Sequence, residues 1–342
     1  MNLDESAIQM LEEFAAAKPA DDCAVDETRA ERDARNEAFA VDTKHAVTQL
    51  VELGLIERAF HKSENTSYIV TDKGRRLAER IPNNHPPTFW YQEQDRDFYR
   101  VAHRCQAYGT FCRTVYGRDL CQYGQTRMES LDSLRARLEI SPDHHVLDLG
   151  CGTGGISAYL HQQSGAFVTG VDLSTSAIAV ANRRYAPWSP RIRYETADMN
   201  ALPYPPASFD VAVSFDSISR VEDMPTMVTQ LRTLLRPGGK LLIVSEHRIP
   251  AEASPSNSTP DNTRAAQALV EVASHFESGD DTASLEPFWN HARATAMALQ
   301  ADFKKEKAEV LADEWINYAD STYMPLIHAR RIRRYEYLAC FD

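Results

Sequence analysis

The residues best suited to chemistry in this 342-residue chain stand together in His145-Val146-Leu147-Asp148-Leu149-Gly150-Cys151-Gly152-Thr153-Gly154-Gly155. An apolar run enters a turn crowded with glycines, and a helical pattern (Ile156, Ala158, Tyr159, Leu160) follows. Glycines let the backbone approach a ligand with no Cβ in the way. The new helix offers unpaired amides beside it. Gly150, Gly152 and Gly155 satisfy the literal G-x-G-x-x-G spacing of a dinucleotide turn. Asp148 pulls the other way. A carboxylate two residues before the first glycine would repel a pyrophosphate and suits a ligand that carries an ammonium group.

A turn of this kind needs a strand before it and a helix after it, the first unit of a doubly wound, mostly parallel α/β sheet. The run Val-Leu-Asp-Leu-Gly-Cys-Gly-Thr-Gly closely resembles motif I of the class I S-adenosylmethionine-dependent methyltransferases, which have a Rossmann-like sheet. The resemblance implies S-adenosylmethionine as cofactor, with Asp148, Gly150, Cys151 and Gly152 in contact with it. Downstream, Ala166–Leu173 reads as the second strand and ends in Asp172, where a carboxylate can accept both ribose hydroxyls. Leu173 can cover one face of the adenine. Asp172 alone does not separate this cofactor from NAD. After the third strand, Asp198 and Met199 match the acidic residue and neighbour that the superfamily places at the adenine. The fourth strand, Phe209–Asp216, should point Phe215 and Asp216 at the methionine end and the acceptor. "LRPGGKLLIV" is a frequent superfamily signature of structural meaning. Tyr116–Gln125 resembles the segment that small-molecule methyltransferases fold over the methionine end of the cofactor, which nominates Tyr116 and Gln122 as contacts.

Further elements must frame these. Residues 1–82 resemble a winged-helix domain: a helix over 41–53 closed by Gly54, "LGLIER", a polar wing tip at 62–66, then "TDKGRRLAE". Residues 83–138 are expected to be linker and helical lid, beginning in the proline-rich stretch 81–87. The catalytic domain is expected over 139–342, with a lid insertion at about 250–310. Within it, Pro250–Asn262 should be a mobile loop, and 263–275 and 285–309 should be helical. Residues 334–341 alternate as a final strand. A sixth strand shows only weakly near Ser274–Ser278, a departure from the usual seven-stranded sheet.

A sulfonium is already a strong methyl electrophile, so the protein's main task is to hold an acceptor in line and exclude water. A general base is needed only for an acceptor that keeps its proton. The candidates are Glu246 and His247 after the fifth strand and Asp216 after the fourth. No residue cluster has metal-ligand spacing.

Composition narrows the partners. A net charge of -12 argues against broad phosphate-backbone binding, and so against nucleic acid as substrate. Residues 1–82 carry 17 acidic against 11 basic side chains, a balance of -6. That favours a module for homodimerisation over one for DNA. A transcription regulator that senses S-adenosylmethionine is the alternative. No apolar stretch is long enough to span a bilayer, and no export signal opens the sequence. Six cysteines without a C-x-x-C pair fit free thiols in a reducing cytoplasm. The expected activity is methyl transfer to nitrogen or oxygen of a small molecule.

Overall fold

The computed structural model describes residues 98–342, apart from residues 100, 219, 220, 222, 251 and 252, together with the backbone of two short strands nearer the N-terminus. The chain divides into two compact units, Met1–Pro86 and Pro87–Asp342. In the first, β1 (Ile56–Ala59) and β2 (Ser67–Val70) pair antiparallel as a hairpin, at the place expected for a wing. The helices expected around it, the linker and Phe89, Trp90 and Tyr91 lie outside the described residues.

The second unit is built on a seven-stranded sheet. Its strands are β3 (His145–Leu149), β4 (Phe167–Asp172), β5 (Ile192–Thr196), β6 (Phe209–Phe215), β7 (Leu235–Arg248), β8 (His275–Asp280) and β9 (Ile332–Phe341), in the order β5-β4-β3-β6-β7-β9-β8. β3 to β7 run parallel, and β9 runs antiparallel to both its neighbours. The sheet therefore has seven strands, and the weak sixth is β8. Its sequence, His-Phe-Glu-Ser-Gly-Asp, hides the strand because it is an exposed edge with no buried face to impose alternation. The central strands read as near-continuous apolar runs because helices cover both faces.

On one face lie α5 (Met224–Leu234) and α6 (Arg264–Val272), packed on Leu147, Leu149, Leu241, Ile243, Tyr335 and Tyr337. On the other, α2 (Met128–Leu138) and α3 (Gly155–Ser164) pack on Val146, Val213, Leu242 and Val244. α4 (Thr175–Tyr185) follows β4 and is capped by the Ser174 hydroxyl.

A helical cap completes the unit. It joins α1 (Gln106–Tyr116), which precedes the sheet, to an insertion between β8 and β9. The insertion holds α7 (Leu285–Ala298), α8 (Gln300–Lys305), α9 (Glu309–Asn317), a π-helical turn (Tyr318–Tyr323) and α10 (Met324–His328). Its core is aromatic: Tyr108, Phe111, Tyr116, Phe288, Trp289 and Trp315 are all buried against one another. The cap thus begins after β8, whereas α6 and β8 belong to the sheet.

Within the stretch expected to be mobile, Pro250–Asn262, the described residues Pro255–Asn257 and Pro260–Asn262 make two 3-10 turns that are tied down. The Tyr335 and Tyr337 hydroxyls donate to the carbonyls of Ser258 (3.0 Å) and Pro260 (2.9 Å). Its turn-forming composition is real, but two strand tyrosines fix where the turns sit.

Candidate active site

The parallel strands bring Leu149, Asp172, Thr196, Phe215 and Arg248 to one edge of the sheet, the edge where doubly wound folds bind ligands. Gly150, Gly152 and Gly154 all take left-handed φ there. At Gly150 the reason is crowding: an added Cβ would stand 2.3 Å from Ser217 Cβ. Ser217 donates to the Leu149 carbonyl (2.6 Å) and so locks the turn to the end of β6. At Gly152 the Cβ position is open: among the described residues, only the Tyr99 side chain comes within 4 Å. That is the cradle a ligand's backbone approach requires.

Asp172 is bonded into the same turn. Its carboxylate accepts from the Gly152 amide (2.8 Å) and the Ser174 amide (2.8 Å). Burial pushes its pKa upward, and the amide bonds partly counter this. Two bonds leave further lone pairs for ligand hydroxyls. Leu173, Asp198 and Met199 are half-buried, and Asp198 holds the Asn200 amide (2.9 Å). Met199 reaches the glycine turn, its methyl lying 3.7 Å from where a Gly150 Cβ would be.

The segment before α2 lies over this turn. The Cys121 carbonyl accepts from the Thr153 hydroxyl (2.9 Å), and a Cβ on Gly155 would stand 1.9 Å from the Leu120 carbonyl oxygen. Gln122 is buried there. Its side-chain oxygen takes the Leu120 amide (3.2 Å), while its Nε2 has no partner among the described residues. An orphaned buried donor is costly.

Four further nominated cofactor contacts are buried. Asp148 is buried beneath the turn, bonded to Ser157 in α3 (2.5 Å). Strand alternation aims it at α3 rather than at the ligand edge, and burial raises its pKa to about 6. Tyr116 is a cap core residue: its ring packs on Phe111, Phe288 and Trp315, and its hydroxyl donates to the Gly124 carbonyl (2.8 Å). The Cys151 thiol is buried too, its pKa driven up by burial and the neighbouring Asp172 and Asp148; its amide meets the Val171 carbonyl (3.0 Å). Phe215 is buried at the end of β6.

The three candidate bases do not converge. Asp216 adopts φ +60 and is saturated. One oxygen accepts from the Gln125 amide (2.6 Å), the Thr126 amide (3.1 Å) and the Thr126 hydroxyl (3.0 Å). The other meets the Arg334 guanidinium. Glu246 and His247 are neighbours on β7 and therefore face opposite sides of the sheet. His247 stacks on Tyr335 (6.2 Å between centroids), and burial, then Arg264 and Arg333, lower its pKa. Glu246 faces the cap. It accepts from Gln125 Nε2 (3.1 Å) and Arg248 Nε (3.2 Å). Gln125 in turn takes the Trp289 indole N–H (3.2 Å), and Trp289 stacks on Tyr323 (3.8 Å).

Gln125, Thr126, Trp289, Tyr323 and Arg334 were not nominated from the sequence. Gln125 closed the segment that drew attention; the others carried no local signal.

Residues 146–239 match the family profile described as Methyltransferase domain. Phosphoethanolamine N-methyltransferase 1 of Arabidopsis thaliana is 32% identical over 165 residues, covering 47% of this chain and 33% of that enzyme. O-methyltransferase cnsE of Penicillium expansum is 37% identical over 119 residues, 33% of this chain and 43% of that enzyme. The chain thus spans about a third of the plant relative's length and under half of the fungal one's. Among solved structures, phosphoethanolamine N-methyltransferase 2 of Haemonchus contortus in complex with S-adenosyl-L-methionine superposes with a TM-score of 0.62 at 16% identity, covering 87% of this chain and 73% of that one. At that identity the likeness speaks for the fold. None of these relatives supports the regulator reading.

Proposed function

We propose that the chain, whose residues 146–239 match a methyltransferase-domain profile, is a class I S-adenosylmethionine-dependent enzyme that transfers a methyl group to nitrogen or oxygen of a small-molecule acceptor. The observation that carries this reading is the open cradle at Gly152, with Asp172 bonded into its rim.

In this reading Asp172 holds the ribose hydroxyls. Leu173, Asp198 and Met199 flank the adenine. The Gly150–Gly152 turn and Gln122 hold the methionine end. When bound, the cofactor supplies an electrophilic methyl group for in-line displacement. The chain's own residues bring the acceptor to it. Orientation of that kind is worth roughly 7–11 kcal/mol in favourable cases. The aromatic cap excludes water. Glu246 is the carboxylate we assign to the acceptor, since it is half-buried, faces the cap and lies against Gln125. It would hold a cationic amine or take a proton from the acceptor. Asp216 is reserved for structure by its ion pair, and His247 lies on the other face of the sheet.

The plant and nematode relatives named above make phosphoethanolamine the first amine to try. Titration of the purified chain with S-adenosylmethionine, beside NAD, on wild type and Asp172→Ala tests the cofactor. Binding of the sulfonium compound that the variant loses, with no NAD binding, is expected. NAD binding instead would return the glycine turn to its dinucleotide reading. Formation of S-adenosylhomocysteine with phosphoethanolamine, or with phenols in a parallel panel, then separates N from O acceptors.

A further inference from the structure

Arg334 lies in β9 opposite Glu246 in β7, and its side chain is almost fully buried. A buried guanidinium is kept only when its donors are paired. Here Nη1 donates to Asp216 Oδ1, Nε to Asp281 Oδ2 (3.2 Å) and Nη2 to the Thr126 hydroxyl (2.8 Å). These partners come from three separate segments: the approach to α2, the turn after β6, and the first residue of the cap insertion. Arg334 also holds the insertion through its backbone. Its carbonyl accepts the Asp281 amide (2.9 Å), and its amide donates to the Thr282 hydroxyl (3.0 Å).

The second oxygen of Asp216 then fixes the Gln125–Thr126 peptide. With that peptide fixed, the Gln125 side chain stands between two groups. Its nitrogen donates to Glu246, and its oxygen accepts from Trp289. We infer that Arg334 is a positioning residue for the acceptor side of the site: through Asp216 it sets Gln125, and through Asp281 it sets the first turn of the cap that carries Trp289, so that Glu246 and Trp289 meet across one side-chain amide. Its functional meaning rests on the methyl-transfer reading; its geometry can be tested without an acceptor.

The test is the indole N–H signal of Trp289 in proton–nitrogen correlation spectra of the full chain, which has four tryptophans. Trp289→Phe assigns the signal. Gln125→Ala shows where it moves when its acceptor is lost. In Arg334→Met the signal should move to the Gln125→Ala position, while the S-adenosylmethionine Kd stays within threefold of wild type. In Arg334→Lys, which has one terminal group for three partners, it should fall between the two. If the methionine variant does not fold, the lysine variant decides. A Trp289 signal that stays in place in a folded Arg334 variant would overturn the inference. So would a parallel loss of cofactor affinity beyond tenfold, which would mark a merely structural role. Where wild type methylates phosphoethanolamine, Arg334→Lys should lower kcat/KM for the amine at least tenfold and leave the cofactor KM within threefold. Absence of turnover by wild type would count against phosphoethanolamine as the acceptor, and the indole signal would still decide the role of Arg334.

Discussion

Gly124 stands directly against Asp216: a Cβ built on the glycine would lie 2.5 Å from Asp216 Oδ2. The carboxylate cannot yield, because Arg334 grips its other oxygen and Thr126 grips this one. Gly124→Ala should therefore destabilise the fold by about 1–3 kcal/mol, the usual range for overpacking. Urea unfolding would show it as a lower midpoint at unchanged slope. A variant as stable as wild type would mean that the Asp216 cluster is looser than its bonds imply.

Asp148 should make stability depend on pH. Its folded pKa, about 6, lies above the ordinary 3.8. The folded state thus binds the proton more tightly, and the carboxylate opposes folding once both states have ionised. The penalty is relieved as pH falls through 6 toward 4. It amounts to about 3 kcal/mol at full size, at 1.36 kcal/mol per unit. Asp148→Asn should be more stable than wild type at pH 7.5, and that advantage should shrink by pH 5. Thermal melts of both proteins at the two pH values check this. An advantage that stays constant would refute it.

Gly150→Ala should abolish cofactor binding, and the cause can be separated into two parts. One is the left-handed backbone, which costs on the order of 1 kcal/mol for alanine. The other is collision with Ser217. Adding Ser217→Gly removes the collision and leaves the backbone cost. Titration should therefore find no binding in the single variant and weak but measurable binding in the double variant. Equal loss in both would place the whole effect on φ.

Glu246→Gln keeps the shape of the contact with Gln125 and removes the charge. If Glu246 takes the acceptor's proton, the rate of methyl transfer should fall by about 10²–10⁴. If instead it only holds a cationic acceptor, KM should rise while kcat holds. A variant unchanged in both constants would remove Glu246 from the acceptor site.

The glycine turn and its flanking elements were legible because their spacing is local. The glycine turn, Asp172 at the end of the second strand and Ser174 capping the next helix all follow from one strand–turn–helix geometry. Distance in sequence hid the cluster around Arg334. Arg334 and Asp216 are 118 residues apart, and an arginine in an alternating strand looks the same whether it meets water or a buried carboxylate. The packing of Tyr116 was hidden for a related reason, since aromatic side chains at helical spacing serve a packed cap as readily as a ligand. One step of alternation matters at Asp148, where the pleat sends the side chain to Ser157. β8 escaped notice because an exposed edge strand has no buried face to write into the sequence.

The placement of β9 bears on how the chain assembles. β9 lies between β7 and β8, both of which precede it in sequence. On a ribosome, β3 to β7 can zip together as they emerge, but β8 has no neighbour to join until β9 arrives. The helical cap, tethered between those two strands, must wait with it. Its tryptophans and tyrosines would stay uncovered through that interval, a window in which a chaperone could bind them and crowding could aggregate them. Closing the sheet is then a late, long-range step, and the same step brings Arg334 to the carboxylate already waiting at the end of β6.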